Sequence, residues 1–334
     1  MKSPITGKAM TLRQERRSMD FRKETFELVF HYYLCADSGE QFTTTALDEV
    51  NMNQVYNQYR DKFNIPFPED IQQIREQYGL SAAKMSEILG FGINTYRQYE
   101  AGEIPSVANA KLIQMAEDPA KFLEMLEWCN TLEEKHKTKY QLKANGLLEQ
   151  RKQAASSDSF RAYLLGNAMA DIYSGYRHPN LAKFTEMVVY FSDTLKPFKT
   201  KMNKLLFYAD FLMFKQSCFS ISGMRYKAID MGPVPTNFQS LFEYLLNQHH
   251  IEIITTEFPQ GYIGEQFVAH KERSFNAALF SEHELATLEK VATTFKDTST
   301  KDMIEISHKE DAWLQHEKGK EGISYVYAFG LKGI

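Results

Sequence analysis

Four side chains that can pair with DNA bases lie between residue 94 and residue 98. An Asn or Gln amide can form two hydrogen bonds with adenine, an Arg guanidinium can do the same with guanine, and Thr serves either base. A serine and a lysine come shortly before them and suit contacts to phosphate oxygens. The pattern indicates a DNA-reading surface, whose candidate residues are Ser81, Lys84, Asn94, Thr95, Arg97 and Gln98.

Short helices must position these side chains, and the sequence predicts their limits. An apolar face that ends at Gly79 predicts a first helix, and Ser81 can cap a second one. The run Gly90-Phe91-Gly92 predicts a tight turn, after which Asn94 can cap a third helix that stops at Gly102. Two helices joined in this way form a helix-turn-helix motif, whose second helix enters the major groove.

The charge of this region favours a competing interpretation, in which the helices only pack or dimerise. Neutralised phosphates supply most non-specific affinity for DNA, so DNA-binding domains usually carry a basic excess. The whole chain has a net charge of −4. We therefore expect weak binding by one copy, with help from a homodimer or from other basic residues, namely Arg13, Arg16 and Arg17. Within 68–118, four basic residues face eight acidic ones: Arg75, Lys84, Arg97 and Lys111 against Glu69, Asp70, Glu76, Glu87, Glu100, Glu103, Glu117 and Asp118.

No residue pattern points to an enzyme. The three cysteines, Cys35, Cys129 and Cys218, are far apart and predict neither a disulfide framework nor a Cys-x-x-Cys zinc pair. Residues 160–330 contain no glycine-rich phosphate loop, and no nucleophile motif accompanies His308. We therefore expect no catalytic residues, no metal and no cofactor.

The distribution of apolar and strand-forming residues predicts a chain that is mainly α-helical with small antiparallel β elements. Residues 1–66 combine two strand-like stretches with a helix that ends near Phe63. Residues 67–118 hold the helix-turn-helix, and residues 119–159 form one connecting helix and a linker. Residues 160–334 form a helical domain with a small sheet.

Five local features of the last domain can be compared with a structure. We expect a strand at Met224–Asp230, a turn at Met231–Pro235 and a β-hairpin over 251–271. The run Ser281-Glu282-His283-Glu284 is a capping box that begins a helix. The tail Ile323–Phe329 is a candidate edge strand to which a partner could add a strand.

The run from Gly90 to Glu103 resembles the helix-turn-helix of MqsA-type antitoxins. The asparagine with which that family begins its recognition helix corresponds to Asn94. The family's arginine four residues later is replaced by Gln98, with Arg97 beside it. The resemblance implies an antitoxin that binds operator DNA through this motif and that has a zinc domain before it.

Most ligands of that zinc domain are absent from the sequence. The family's Cys-Pro-x-Cys and Cys-x-x-Cys correspond to Ser3-Pro4-Ile5-Thr6 and Cys35-Ala36-Asp37-Ser38, so one of four ligands remains. Structural zinc takes four Cys or His ligands, and a hydroxyl is not a thiolate. We therefore predict a degenerate zinc-domain-like α+β unit without zinc, supported by the aromatic strand Phe26–Tyr33. A substitute ligand from His31 is the alternative.

Four stretches between residues 180 and 315 resemble the Panacea domain, a toxin-neutralising domain that also occurs near phage genes. They are Lys204–Asp210, Ile221–Tyr226, Met231–Pro235 with Phe238, and Ile306–Trp313. The resemblance implies a mostly helical domain with a small antiparallel sheet that binds a toxin protein directly. The residues marked by the motif either contact the toxin or serve folding: Tyr208, Asp210, Arg225, Met231 and Trp313.

The two resemblances together predict an antitoxin of a toxin–antitoxin system, which neutralises a cognate toxin and regulates its own operon at operator DNA. The alternatives are a phage or mobile-element transcriptional regulator without a toxin, and an adaptor that delivers a bound protein to a protease. No apolar run approaches the roughly 18 residues of a membrane helix, and the N-terminus is charged rather than apolar. We therefore expect a cytoplasmic protein without a membrane partner.

Overall fold

The computed structural model of the chain describes residues 1–166, 169–259, 261 and 263–334, without the side chains of 153–160. It forms two compact units: the first unit is 1–55 together with 162–334, and the second unit is 56–161. The predicted class, mainly α with small antiparallel sheets, is confirmed. Within the described residues, no helix has the length and apolar character that crossing a bilayer requires.

Helices alternate with short strands along the chain. The helices are α1 (Thr45–Phe63), α2 (Pro68–Glu76), α3 (Ala82–Ile88), α4 (Thr95–Glu100), α5 (Val107–Met115), α6 (Pro119–Trp128), α7 (Glu134–Leu165), α8 (Leu181–Leu195), α9 (Lys199–Ser217), α10 (Phe238–Asn247), α11 (Glu282–Phe295), α12 (Thr300–Ser307) and α13 (Asp311–Leu314). Short 3₁₀ helices cover Ala277–Leu279 and Tyr325–Gly330. The strands are β1 (Thr11–Phe21), β2 (Glu24–Leu34), β3 (Gln41–Phe42), β4 (Tyr226–Ile229), β5 (Gly232–Pro235), β6 (Ile251–Glu257), β7 (Ile263–Ala269) and β8 (Gly322–Ile323).

The first unit begins with an antiparallel sheet in the order β1-β2-β3. The turn residues Arg22 and Lys23 have φ values of 48° and 71°, as a two-residue hairpin turn requires. Thr44 Oγ1 accepts a hydrogen bond from Leu47 N at 3.3 Å and caps α1. The strands and the helix predicted for this region are confirmed.

Helix α9 is the centre of the first unit. Every residue from Lys201 to Phe214 is buried, so this helix is enclosed on all sides. Helices α8, α11 and α12 and strand β5 pack around it. The remaining strands form a small sheet in the order β5-β4-β8 and the hairpin β6-β7, and this hairpin was predicted. The predicted capping box is also present, because Ser281 Oγ accepts from Glu284 N and Glu284 Oε2 accepts from Ser281 N.

Residues 1–55 share a core with the C-terminal part of the chain. The rings of His31 and Phe329 lie 5.0 Å apart, and Gln14 Nε2 donates to the Phe329 carbonyl oxygen at 3.1 Å. The Cys218 thiol donates to the Val50 carbonyl oxygen at 3.3 Å, and both residues are buried. The first unit therefore unites chain segments that the sequence pattern assigns to separate domains.

Two expectations for the C-terminal region are wrong. The expected turn at Met231–Pro235 is mostly strand β5, which pairs with β4 from Gly232 opposite Ile229 onward. The tail is not a free edge strand, because only Gly322–Ile323 is extended and the following residues form a 3₁₀ helix. Tyr325 is buried there and donates to the Met224 carbonyl oxygen at 2.8 Å, so this segment belongs to the core.

The second unit is helical and has an aromatic core. The rings of Tyr78 and Phe122 stack with their centroids 3.8 Å apart, and Tyr78 OH donates to the Ala116 carbonyl oxygen at 2.8 Å. Tyr96 is fully buried and donates to the Ile71 carbonyl oxygen at 2.7 Å. Buried hydroxyls of this kind require partners, and these bonds join α2 to α4 and to the end of α5.

The single connecting helix expected for 119–152 is two helices, α6 and α7. Cys129 ends α6 with an extended ψ of 104°, and the side chain of Leu132 is buried in the core. Asn130 and Thr131 are weak helix formers, so interrupting the helix at these residues costs little free energy. The expected linker at 154–159 falls within the bounds of α7, and its side chains lie outside the described residues.

Candidate functional sites

The side chain of a buried serine in α3, rather than that of the expected asparagine, caps the start of helix α4. The Ser86 hydroxyl accepts a hydrogen bond from Tyr96 N at 3.1 Å, whereas the Asn94 side chain makes no capping bond. Ser81 caps α3 as predicted, with its hydroxyl 3.3 Å from Lys84 N. The Asn94 cap was therefore wrong, and the Asn94 side chain is available for other contacts.

Helix α4 is held from its inner face. Tyr96 and Tyr99 are buried, and Arg75 Nε on α2 lies 2.6 Å from Glu100 Oε1. Because these contacts use one face, the opposite face of α4 is exposed to solvent. Asn94, Arg97 and Gln98 lie on it, and Thr95 is half-buried at its edge.

Three of the predicted base-reading residues thus share one exposed surface at the start of α4. Arg97 donates from its guanidinium to Asn94 Oδ1 at 3.2 Å, so the two side chains orient each other. Beside them Ile93 is 71% exposed, a large fraction for an isoleucine. The sequence analysis did not include Ile93 among the candidates. Its signal was an isoleucine directly before the predicted recognition helix, where a solvent-exposed residue is usually polar.

The basic residues near α4 are mostly engaged with acidic neighbours. Lys84 Nζ lies 2.8 Å from Glu87 Oε2, and this ion pair raises the pKa of Lys84. Arg75 is committed to Glu100. The positive charge expected of a DNA-binding surface must therefore come from elsewhere.

Helix α7 carries such charge, which the charge count over 68–118 does not include. Residues 135–143 include four lysines and no acidic residue. Three of them, which we call the lysine stripe, are exposed and spaced by four residues along one side of α7: Lys135, Lys139 and Lys143. Within the part of the chain that the structure describes, none of the three forms an ion pair.

Contacts around α7 show on which side the lysine stripe lies. Successive residues advance by about 100° around a helix. Tyr140 points into the core, and Lys137 Nζ donates to the Glu127 carbonyl oxygen on α6 at 3.3 Å. The three lysines of the stripe each lie more than about 100° from Lys137 around the helix, so the lysine stripe lies on the side of α7 that is turned away from α6.

In the first unit, Asp210 is a fully buried carboxylate with a complete set of donors. Its Oδ1 accepts from the amides of Ile221 and Ser222, both at 2.8 Å. Its Oδ2 accepts from the Ser222 hydroxyl at 2.5 Å and from Tyr226 OH at 2.7 Å. Burial raises the pKa of Asp210, whereas these hydrogen bonds act in the opposite direction. Asp210 thereby ties α9 to the loop and strand that follow.

A second buried carboxylate connects the motif to the C-terminus. Glu310 Oε1 accepts from Tyr208 OH at 3.0 Å and from Gly333 N at 2.8 Å. Trp313 is largely buried and donates from Nε1 to the Ile229 carbonyl oxygen at 2.8 Å. These contacts give Tyr208 and Trp313 a role in packing α9, α12 and α13 against the sheet.

The remaining two motif residues lie nearer to solvent. The Arg225 guanidinium lies 2.5 Å from Asp171 Oδ2 and is half-buried. Met231 lies in the turn between β4 and β5 and is 50% exposed, the highest exposure among the five candidates. Only Met231 therefore presents a large part of its side chain to a partner.

Buried Lys204 explains the glycine of the same motif. Lys204 Nζ donates to the Pro233 carbonyl oxygen at 3.0 Å, and burial lowers the pKa of Lys204 to about 7. A Cβ at Gly232 would lie 2.7 Å from Lys204 Cε, and Gly232 has a φ of +97°. The position therefore excludes any side chain, and the lysine fills the space.

The four positions that correspond to zinc ligands do meet in the first unit. Thr6 Oγ1 lies 3.5 Å from Cys35 Sγ, and the neighbouring hydroxyls of Ser3, Ser38 and Thr6 lower the pKa of the Cys35 thiol to about 6. One thiol and three hydroxyls do not fit a structural zinc ion. Across the described residues, no group of three or more His, Cys, Asp or Glu side chains is placed to hold a metal.

Family models match two regions of the chain. Residues 1–127 match the antitoxin component of bacterial toxin–antitoxin systems, MqsA. Residues 202–314 match the SocA-like antitoxin Panacea domain. The chain thus combines an MqsA-type N-terminal antitoxin region with a C-terminal Panacea domain. No curated protein matches the chain.

We expect Asp210→Asn to lower the free energy of unfolding by about 1–3 kcal/mol, because an amide cannot accept from all four donors and leaves buried groups unpaired. Urea denaturation followed by circular dichroism measures the change. Asp193→Asn, at an exposed position of α8, is the matched control and should be neutral. An Asp210→Asn protein as stable as wild type would show that the carboxylate is not structural.

Proposed function

We propose that the protein is a cytoplasmic, non-enzymatic antitoxin that neutralises a cognate protein toxin by direct binding. The observation that carries this proposal is the match of two separate regions, 1–127 and 202–314, to antitoxin families. The second match lies entirely within the first unit, whose compact core supports a stable binding surface.

The neutralising part, in this proposal, is the whole first unit and includes residues 1–55. Phe329 and Val50 are buried, and the backbone carbonyl of each accepts a hydrogen bond from the other segment, from Gln14 and Cys218 respectively. Removing either segment would expose apolar side chains and leave backbone groups without partners. The toxin would contact the surface around Met231, while Tyr208, Asp210, Arg225 and Trp313 maintain the fold beneath it.

The second unit, in this proposal, reads operator DNA as a helix-turn-helix and regulates the operon. The exposed face of α4 offers Asn94, Arg97 and Gln98 to base edges, with Thr95 and Ile93 beside them. Ser81 and Lys84 at the start of α3 would contact phosphates. A homodimer would place two such modules on paired half-sites.

The lysine stripe would supply phosphate contacts that the acidic helix-turn-helix lacks. It lies on the side of α7 that is turned away from α6, and it would add to the phosphate contacts proposed for Ser81 and Lys84. Its three lysines are exposed and have no acidic partner within 135–143. Charges of this kind raise affinity for any DNA sequence and make binding depend on salt.

We expect the double variant Asn94→Ala/Arg97→Ala to lose operator affinity by roughly 30- to 20,000-fold, because two base contacts of about 1–3 kcal/mol each contribute about 2–6 kcal/mol together. Growth rescue from the toxin should be unchanged, because the variant leaves the first unit intact. Fluorescence anisotropy with DNA from upstream of the gene measures the first effect, and co-expression with the neighbouring small gene measures the second.

Asn145→Ala, an exposed position on another side of α7, is the matched control and should keep operator affinity. Loss of rescue by a folded Asn94→Ala/Arg97→Ala protein would contradict the separation of the two activities. Operator binding by wild type without any toxicity of the neighbouring gene would favour a transcriptional regulator instead. Protease-dependent loss of the toxin would favour an adaptor.

We expect Lys139→Gln/Lys143→Gln to weaken binding to operator and to unrelated DNA alike. The slope of log K against log salt should become shallower by about 2, because each phosphate contact contributes roughly 0.9. Lys121→Gln, at an exposed position of α6, is the control and should leave the slope unchanged. An unaltered slope in the double variant would exclude the lysine stripe from the DNA contact.

A further inference from the structure

Two turns of the first unit have the same backbone structure, although their sequences differ. We call Ser3–Gly7 and Cys35–Gly39 the paired turns. Gly7 N donates to the Ser3 carbonyl oxygen at 2.9 Å, and Gly39 N donates to the Cys35 carbonyl oxygen at 2.8 Å. The two glycines have φ values of +70° and +72°, a conformation that favours glycine.

The next backbone bonds repeat as well. Ser3 N donates to the Lys8 carbonyl oxygen at 2.8 Å, and Cys35 N donates to the Glu40 carbonyl oxygen at 3.0 Å. Each turn is therefore closed in both directions by equivalent bonds. The equivalence extends over residues 3–8 and 35–40, so Ser3 corresponds to Cys35 and Thr6 corresponds to Ser38.

Hydroxyl groups accept the amide hydrogens inside the paired turns. Ser3 Oγ accepts from the amides of Ile5 and Thr6, both at 3.2 Å. Thr6 Oγ1 accepts from Lys8 N at 3.4 Å, and Ser38 Oγ accepts from Glu40 N at the same distance of 3.4 Å. The side chains thus stabilise the turns that carry them.

The same side chains also join the two turns to each other. Thr6 Oγ1 lies 3.5 Å from Cys35 Sγ, which is a hydrogen bond between the two turns, and the hydroxyls of Ser3 and Ser38 are near enough to help lower the pKa of the same thiol. Ser3 and Cys35 are buried, so this cluster is closed to solvent on the inner side. Four side chains from two equivalent turns therefore meet at one point, which is the arrangement of a four-ligand metal centre.

We propose that the paired turns form a metal-free counterpart of a zinc centre, in which Ser3, Thr6 and Ser38 lie around Cys35 and the Thr6–Cys35 hydrogen bond connects the turns. Serine and threonine hydroxyls remain protonated at neutral pH and are poor zinc ligands, so one thiol is insufficient for a structural site. Folding of residues 1–55 then requires no zinc. This inference is independent of the proposed DNA and toxin contacts.

Packing elsewhere in the first unit compensates for the weak connection between the paired turns. A hydrogen bond between a hydroxyl and one cysteine stabilises less than four metal–ligand bonds do. Phe26 and Leu28 of β2 are buried, and His31 packs on Phe329. Residues 1–55 therefore draw stability from the C-terminal segment, which a separate small zinc domain could not do.

The first test measures zinc in the full-length wild-type protein after incubation with ZnCl₂ and desalting. Elemental analysis should find no stoichiometric zinc, and the Tm should be the same with and without EDTA. One zinc per chain, or a Tm that falls on chelation, would overturn the proposal.

The second test rebuilds the metal centre with Ser3→Cys, Thr6→Cys and Ser38→Cys in the full chain. Four thiolates at the meeting point should bind one Co²⁺ with the visible absorption of a tetrahedral thiolate site, and zinc should displace the cobalt and raise the Tm. Adding Cys35→Ser to this triple variant removes one ligand and is the matched control, in which the tetrahedral spectrum should be lost. A folded triple variant that binds neither metal would show that the four positions do not converge.

If the triple variant does not fold, a third variant tests whether the side chains of the paired turns stabilise the first unit. Ser3→Ala removes the acceptor of two backbone amides, so its Tm should fall regardless of added zinc. The next two residues of this turn, Pro4 and Ile5, have no polar side-chain atom and cannot take over these bonds. An unchanged Tm for Ser3→Ala would overturn the proposed role of the hydrogen-bonded cluster.

Discussion

The contact between the N-terminal sheet and the C-terminal 3₁₀ helix constrains the whole organisation of the chain. His31 and Phe329 pack ring to ring, Gln14 bonds to the Phe329 backbone, and Cys218 bonds to Val50. Segments at opposite ends of the sequence thereby bury each other's apolar surface. Residues 56–161 form a unit with its own aromatic core. The region matched by the MqsA family is consequently divided between two units, whereas the Panacea match lies within one.

Buried polar groups fix the loop conformations of the Panacea region, in addition to its apolar packing. Asp210 has four donors, Glu310 bonds to Tyr208 and to the C-terminal backbone, and Lys204 bonds to Pro233. Each group would be costly if it lost its partners, so the loops that supply them are fixed. The sequence motif of this region therefore consists mainly of buried residues. Specificity for one partner over another would have to come from surface residues such as Met231.

Local signals predicted much of this structure. The capping box at Ser281, the cap at Ser81 and the strands of the first hairpin all depend on residues close in sequence. The helix-turn-helix candidates on α4 are exposed together because Tyr96 and Tyr99 fix the opposite face. Local sequence patterns could not predict the contacts between residues far apart in the chain. Ser86 caps α4 from ten residues away, and nothing local to residues 1–55 reveals that Phe329 covers them.

Growth of cells that express the neighbouring small gene tests the central claim most directly. The gene would be co-expressed either with the full chain or with residues 162–334 alone. The account predicts rescue by the full chain and no rescue by the fragment, because the fragment lacks residues 1–55 and exposes Phe329. It also predicts that residues 1–66, supplied as a separate chain, improve rescue by the fragment. Full rescue by residues 162–334 alone would contradict the claim that both ends of the chain form the neutralising unit.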